Sequence, residues 1–185
     1  RTIGFKNNWE RLSSNKGYYL DDIGRLQPKS DKKNSIENDE TIDEVLRHRT
    51  AIDRNQLSQP MQILAKHNYL DGNYAVLDYG CGKGDDVREL EAHGIDVSGW
   101  DPAHYSEGLL INSDIVNLGF VLNVIEDKDE REETLKRAWQ YTDKLLIASV
   151  MIAGDSVISQ FTPFKDGIIT SRKTFQKYYA QSELR

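Results

Sequence analysis

Short apolar runs separated by charged stretches of helical period organise most of this chain. Tyr74-Ala75-Val76-Leu77 continues into Asp78 and Tyr79 and predicts a strand over 74–79. Further strands are expected over 96–100 and 114–118. Lys144-Leu145-Leu146-Ile147-Ala148-Ser149-Val150 reads as a strand buried on both faces, because its apolar residues do not alternate. Helices alternate with these strands. Ser58 is placed as N-cap with Pro60 in the first turn, and Met61, Leu64 and Ala65 share one face. Asp86 caps a helix that stops at Gly94. Asp127 and Glu130 have capping-box spacing for a helix over 127–142, with Leu135, Ala138 and Trp139 as its buried stripe. A short helix over 41–46 and a last one over 174–184 complete the reading. Strand and helix in alternation predict the α/β class, as a doubly wound, Rossmann-like sheet. The stretch between Asp101 and Asp114 is too short for a helix and another strand, so the sheet is expected to be reduced at one edge.

Residues 1–40 behave differently. Gly17-Tyr18-Tyr19-Leu20 and Arg25-Leu26-Gln27 suggest a small hairpin. The run 28–40 is polar and charged and reads as a linker. The expected organisation is an N-terminal appendage over 1–40 and a ligand-binding domain over 41–185. Trp9, Tyr18, Tyr19 and Leu20 of the appendage are expected to dock on another surface, because aromatic groups gain most from burial. The chain opens on Arg1 and not on Met, as expected of a trimmed chain or a fragment. A doubly wound domain would continue into antiparallel strands, so truncation at the C-terminus is also expected.

The turn after the first strand carries the chemistry. Asp78-Tyr79-Gly80-Cys81-Gly82-Lys83-Gly84-Asp85-Asp86 is a carboxylate followed by G-x-G-x-G, then a helix. A dinucleotide site needs G-x-G-x-x-G, and a P-loop needs Ser or Thr after the lysine, where Gly84 stands. Asp101 lies about 20 residues beyond the turn, at the position of a ribose-binding carboxylate. An acidic strand tip suits a cation better than a pyrophosphate. S-adenosylmethionine carries an ammonium, a sulfonium and a ribose diol. The expected cofactor-binding residues are Asp78, Gly80, Cys81, Gly82, Gly84, Asp101, Asn117 and Leu118.

Charge and composition narrow the setting. The formal net charge is −6, which opposes strong non-specific binding to nucleic acid but leaves room for a local basic face. Arg172, Lys173 and Lys177 lie among Phe175, Tyr178 and Tyr179. They read either as such a face or as the wet side of an amphipathic helix. There is one cysteine, so no internal disulfide and no multi-cysteine zinc site. No apolar stretch approaches a membrane span, and the cytoplasm is the simplest location.

These motifs resemble the DNA phosphorothioation-associated methyltransferase family. The match begins at His48-Arg49-Thr50-Ala51-Ile52, Arg54, Leu57-Ser58 and Pro60, and includes the glycine turn and Gly99-Trp100-Asp101-Pro102. It continues through Asp114-Ile115-Val116-Asn117-Leu118-Gly119-Phe120-Val121-Leu122-Asn123-Val124-Ile125-Glu126-Asp127. It ends with Asp166-Gly167, Thr170, Thr174-Phe175-Gln176-Lys177-Tyr178-Tyr179 and Glu183-Leu184-Arg185. The resemblance implies a class I methyltransferase sheet that uses S-adenosyl-L-methionine, with DNA or RNA as substrate and defence-system proteins as partners. Two positions depart from the family pattern: Lys83 stands where Arg is usual, and Lys173 where Gly is usual. The alternatives are a non-catalytic cofactor-binding or interaction module of a larger defence protein, or a methyltransferase for small molecules or RNA.

Catalytic candidates are Asn117, His48 and His104. Asn117 and Phe120 keep the spacing of amino-methyltransferases without the intervening prolines, so Asn117 reads as an amine acceptor or as a cofactor-lining residue. His48 or His104 is a candidate base. Arg49 and Arg54 are candidates for holding a carboxylate or phosphate. Asp85 and Asp86 read as caps or as cofactor contacts. Cytosine-ring methylation needs a free cysteine nucleophile, and Cys81 sits inside the glycine turn. The His residues show no spacing for a metal site.

Overall fold

The apolar runs form a parallel sheet. A computed structural model describes residues 18–20, 26–28, 45–54, 56–153 and 158–184. The chain divides into two units, Arg1–Thr41 and Ile42–Arg185. In the first, β1 (Tyr18–Leu20) pairs antiparallel with β2 (Leu26–Pro28), as the sequence suggests. The linker over 28–40 and the docking of Trp9 and its neighbours fall outside the described residues and side chains.

In the second unit β3 (Val76–Tyr79), β4 (Val97–Trp100), β5 (Ser113–Gly119) and β6 (Thr142–Ser149) make a parallel sheet in the order β4-β3-β5-β6. Helix α1 (Gln59–Lys66) precedes β3. Helix α2 (Asp85–Ala92) joins β3 to β4, and α3 (Lys128–Gln140) joins β5 to β6. The two crossovers run in opposite directions from the centre. With one hand of connection, that puts α2 and α3 on opposite faces.

Side-chain alternation along the central strands confirms this. Leu77, Tyr79, Val116 and Leu118 pack with Ala138 of α3. Val76 and Ile115 pack with Met61 and Leu64 of α1 and Leu90 of α2. The next side chains on that second face are Asp78 and Asn117, which are polar. The core thus gives way to a cleft at the carboxyl ends of the strands. Residues 101–112 form turns and no strand, so the sheet ends at β4 among the described residues, as expected.

Several expectations need correction. The α2 cap is Gly84, not Asp86, which lies inside the helix. The stretch at 45–46 is not helical; a single 3-10 turn follows at Arg47–Arg49. Ser58 does cap α1 by position, but its side chain makes no capping bond. Leu135 and Trp139 are not buried: Ala138 faces the core, and Trp139 is 64% exposed. Nor is β6 covered on both faces. It is an edge strand, and its apolar residues are mostly half-buried.

The predicted C-terminal helix is instead a strand and a short turn. β7 (Thr162–Phe164), β8 (Gly167–Ile169) and β9 (Phe175–Gln176) form an antiparallel sheet, and a 3-10 turn covers Gln181–Leu184. Phe175, Lys177 and Tyr179 recur at every second position, which is strand period. Phe175 is fully buried, and the Arg131 guanidinium lies 5.9 Å from its ring centroid. Gly167 is required here, because a Cβ would stand 2.6 Å from the Phe175 ring and from Gln176 O. Lys177 is neither in water nor on a basic face. It is buried between Asp166 at 3.3 Å and Glu183 at 3.0 Å. Among the described residues no helix is long and apolar enough to cross a membrane.

Candidate functional site

A cleft of about 1260 Å³ opens at the carboxyl ends of β3, β4 and β5. This is the switch point where the connections diverge, the usual ligand position in an open α/β sheet. Its floor is the glycine turn. Gly80, Gly82 and Gly84 all have left-handed φ, at 84°, 57° and 73°. A Cβ on Gly80 would also meet Val121 Cγ2 at 2.3 Å. The glycine is therefore fixed by the protein's own packing as well as by its backbone angle.

The turn has no spare donors at most of its positions. The N–H groups of Gly80 and Cys81 donate to Trp100 O, and Gly84 N donates to Cys81 O. Gly82 N donates to Asp101 Oδ2 at 3.1 Å. A pyrophosphate needs these groups unspent. Asp85 and Asp86 also place carboxylates in the first turn of α2, so the helix N-terminus is not an anion site.

Asp101 does two jobs. Its Oδ1 accepts from Ala103 N and His104 N, both at 2.9 Å, which folds the turn after β4. Its Oδ2 accepts only from Gly82 N. A carboxylate offers about four acceptor sites, so Oδ2 retains capacity toward the cleft for a hydroxyl.

Asp78 is 4% exposed at the tip of β3 and accepts from Asn117 Nδ2 at 2.8 Å. Burial pushes its carboxyl up to about 7. The Asn117 bond opposes that shift, and the nearby Asp86 adds to it. Asn117 itself is 2% exposed, and its Oδ1 has no hydrogen-bond partner. Burial also pushes the Cys81 thiol up to about 12, with Asp78 and Asp101 adding to the effect.

Segment 45–54 crosses one side of the cleft like a strap. Arg47 forks onto Glu130 at 2.6 and 2.7 Å and reaches Glu126 at 2.8 Å. Arg54 N donates to Asp85 Oδ2 at 2.8 Å, and the Arg54 guanidinium lies 3.7 Å from Asp86. Just beyond, Ser58 N donates to buried Asp86 at 2.7 Å. Lys83 pairs with Asp53 at 2.9 Å. Asp85 and Asp86 therefore hold the strap to α2.

Of the expected residues, the structure brings Asp78, Gly80, Cys81, Gly82, Asp101 and Asn117 to the cleft wall. Two lie elsewhere. Leu118 points to the opposite face of the sheet and is fully buried in the core. Gly84 is the α2 cap, and a Cβ there would stand 3.3 Å from the Tyr105 ring. His48 and His104 sit at the exposed rim, where His104 Nε2 lies 2.8 Å from His48 O. Among the described residues neither ring pairs with a carboxylate there. Arg49 does not line the cleft, whereas Arg54 does. Among the described residues no group of His, Cys, Asp and Glu is arranged to hold a metal ion.

Two features escaped the sequence reading, as did the backbone angle of Phe120, a residue read there only for its spacing from Asn117. Arg47 meets its partners across about eighty residues, so no local spacing reveals it. Asn123 is fully buried: its Nδ2 donates to Lys177 O and its Oδ1 accepts from Met151 N. It joins the loop after β5 to the ends of β6 and β9. Phe120 has φ 61° at the tip of β5, an uncommon angle for an aromatic residue, on the cleft wall. No protein-family model matches the chain, and no curated protein matches it.

Proposed function

We propose that this chain is an S-adenosyl-L-methionine-dependent methyltransferase. The observation that carries the reading is the chemistry of the switch-point cleft. The glycine turn has spent most of its N–H groups internally, and carboxylates stand at the tips of β3 and β4. Such a cleft disfavours a pyrophosphate and suits a cationic ligand with a ribose diol. Asp101 Oδ2 has acceptor capacity for a ribose hydroxyl. Asp78, once ionised, complements the cationic end. A sheet in which β4 ends one side among the described residues fits the reduced edge expected from the short stretch between Asp101 and Asp114.

Bound here, S-adenosyl-L-methionine would supply an electrophilic methyl group. The protein's own contribution is position. Asp78 and Asn117 are locked to each other, the turn is locked to Asp101, and the strap closes one side against water. Alignment of this kind accelerates a displacement without a dedicated catalytic base.

Calorimetry with S-adenosylmethionine and S-adenosylhomocysteine tests the reading. Both should bind, and Asp101→Ala should weaken both by at least about tenfold through the lost hydroxyl contact and the loosened turn. Absence of heat from a folded protein at several temperatures would end the proposal. Among the described residues the rim histidines have no carboxylate partner, which is the one observation favouring a module that binds the cofactor without transferring its methyl. Release of labelled methyl to any acceptor would exclude that module.

A further inference from the structure

We propose that the methyl acceptor is a small amine, its N–H received by Asn117 Oδ1, and not a phosphate-bearing polymer. This rests on the methyltransferase reading and names the substrate class of the same cleft.

The first observation is charge. The lysine and arginine side chains lining the cleft are Arg47, Arg54, Lys83 and Arg137. Each is already paired: Arg47 with Glu126 and Glu130, Arg54 with Asp86, Lys83 with Asp53, and Arg137 with Glu133. Acidic side chains on the same wall include Asp78, Asp101 and Asp129 beyond those pairs. A nucleic acid binds by releasing counterions to unpaired cations, and the described residues of this wall offer none. An amine, neutral or protonated on arrival, meets a favourable field.

The second observation is geometric. Asn117 turns its Nδ2 toward Asp78 Oδ1 at 2.8 Å. The Asn117 carbonyl is then left buried without a donor, on the cleft wall. Beside it stands Gly119. A Cβ there would lie 3.0 Å from Asn117 Nδ2, 3.3 Å from Asn117 Oδ1 and 3.2 Å from Pro60 Cγ. The missing side chain keeps this corner open. As the cleft stands, Oδ1 is closed to solvent, so an incoming N–H reaches it after a small shift of the amide or of Pro60. An amine that arrives as an ammonium first gives one proton to water; with one remaining N–H held there, the nitrogen lone pair is free to attack. The N–CH3 bond forms as the S–CH3 bond breaks, and its electron pair stays on sulfur. The methylated ammonium then releases its proton to water.

The test uses the whole chain saturated with S-adenosylhomocysteine, titrated with spermidine and, separately, with a short DNA duplex and a tRNA. Cofactor binding is measured first, so its failure is read as failure of the methyltransferase proposal and not of this one. Spermidine should bind more weakly as salt rises, and neither nucleic acid should bind. At saturating S-adenosylhomocysteine, Asn117→Ala and Gly119→Ala should each weaken spermidine by at least about tenfold, and Gly119→Ala should hold cofactor affinity within about threefold. Should Asn117→Ala fail to fold, Gly119→Ala carries the comparison. No spermidine binding to the loaded protein, unchanged affinity in a folded variant, or binding of either nucleic acid would overturn the inference.

Discussion

Asn117 Nδ2 donates to Asp78 Oδ1 at 2.8 Å, and the two residues are register partners on adjacent parallel strands. The pair is where the apolar core face of the sheet becomes the floor of the cleft. Its geometry links protein stability and ligand affinity through one proton, with opposite signs.

Burial raises the Asp78 carboxyl from an ordinary value near 3.8 to about 7. The neutral form therefore stabilises the fold fully below about pH 4, and that contribution is lost as pH rises through 7. Asp78→Asn should leave stability unchanged near pH 4 and raise it at pH 8, by about 4 kcal/mol at most. Urea melts of both proteins at several pH values measure this. Cation binding runs the other way, because it needs the charged form. S-adenosylmethionine affinity should fall as pH drops below 7 and should be weak at all pH values in Asp78→Asn. Equal affinity at pH 6 and pH 8 in the parent would contradict a direct role for Asp78.

Gly80 faces two separate penalties on substitution. Its φ is 84°, and a Cβ would stand 2.3 Å from Val121 Cγ2. Gly80→Ala should cost about 2–4 kcal/mol, from the strained angle and from overpacking. Val121→Ala in the same chain removes the clash and leaves the angle, so the double variant should recover part of the loss and no more. Thermal melts of the four proteins form the cycle. Complete recovery would show that packing alone demands the glycine.

Cys81 is the only cysteine, and its thiol is held near 12 by burial. Reaction with an aromatic disulfide at pH 7.5 should be at least about a hundredfold slower than for free cysteine, since little thiolate forms. One equivalent should react at once in denaturant. Bound cofactor should slow the native reaction further. Rapid labelling of the folded protein would show that the turn opens readily.

Lys173 has φ 59° and makes a turn bond from its N–H to Thr170 O. Its carbonyl also accepts from Leu46 N at 2.9 Å. Lys173→Gly should raise stability by up to about 1 kcal/mol, because glycine adopts this angle without a Cβ penalty. A lower melting temperature in the variant would mean that the lysine side chain contributes more than the angle costs.

The two strand–helix crossovers were legible because their chemistry is local. The glycine turn, Asp101 and the capping Asp127 are each set by spacing within one unit, and Asp127 does accept from Glu130 N. Where the reading failed, the deciding partner was distant. Leu118 was assigned to the cleft as a neighbour of Asn117, but strand alternation sends it to the opposite face. Run 174–184 carried aromatics that suit a helix. Its real partners are β8 and the exposed Asp166, fixed only when the chain returns to α3 through Arg131. The strap is illegible for the same reason: Arg47, Arg54 and Ser58 find their carboxylates on other elements.

Along β6, no further strand pairs with the outer side among the described residues, and exposed Trp139 lies close by beside Leu146. Asp143 and Lys144 put charge near its beginning, but Ile147-Ala148-Ser149 has no such guard. An uncharged edge of this kind templates pairing with other chains. Its effect is colloidal. Solubility at high concentration should be set at this strand and not at the cleft, and a single lysine in place of Ala148 should delay precipitation while leaving the ligand site untouched.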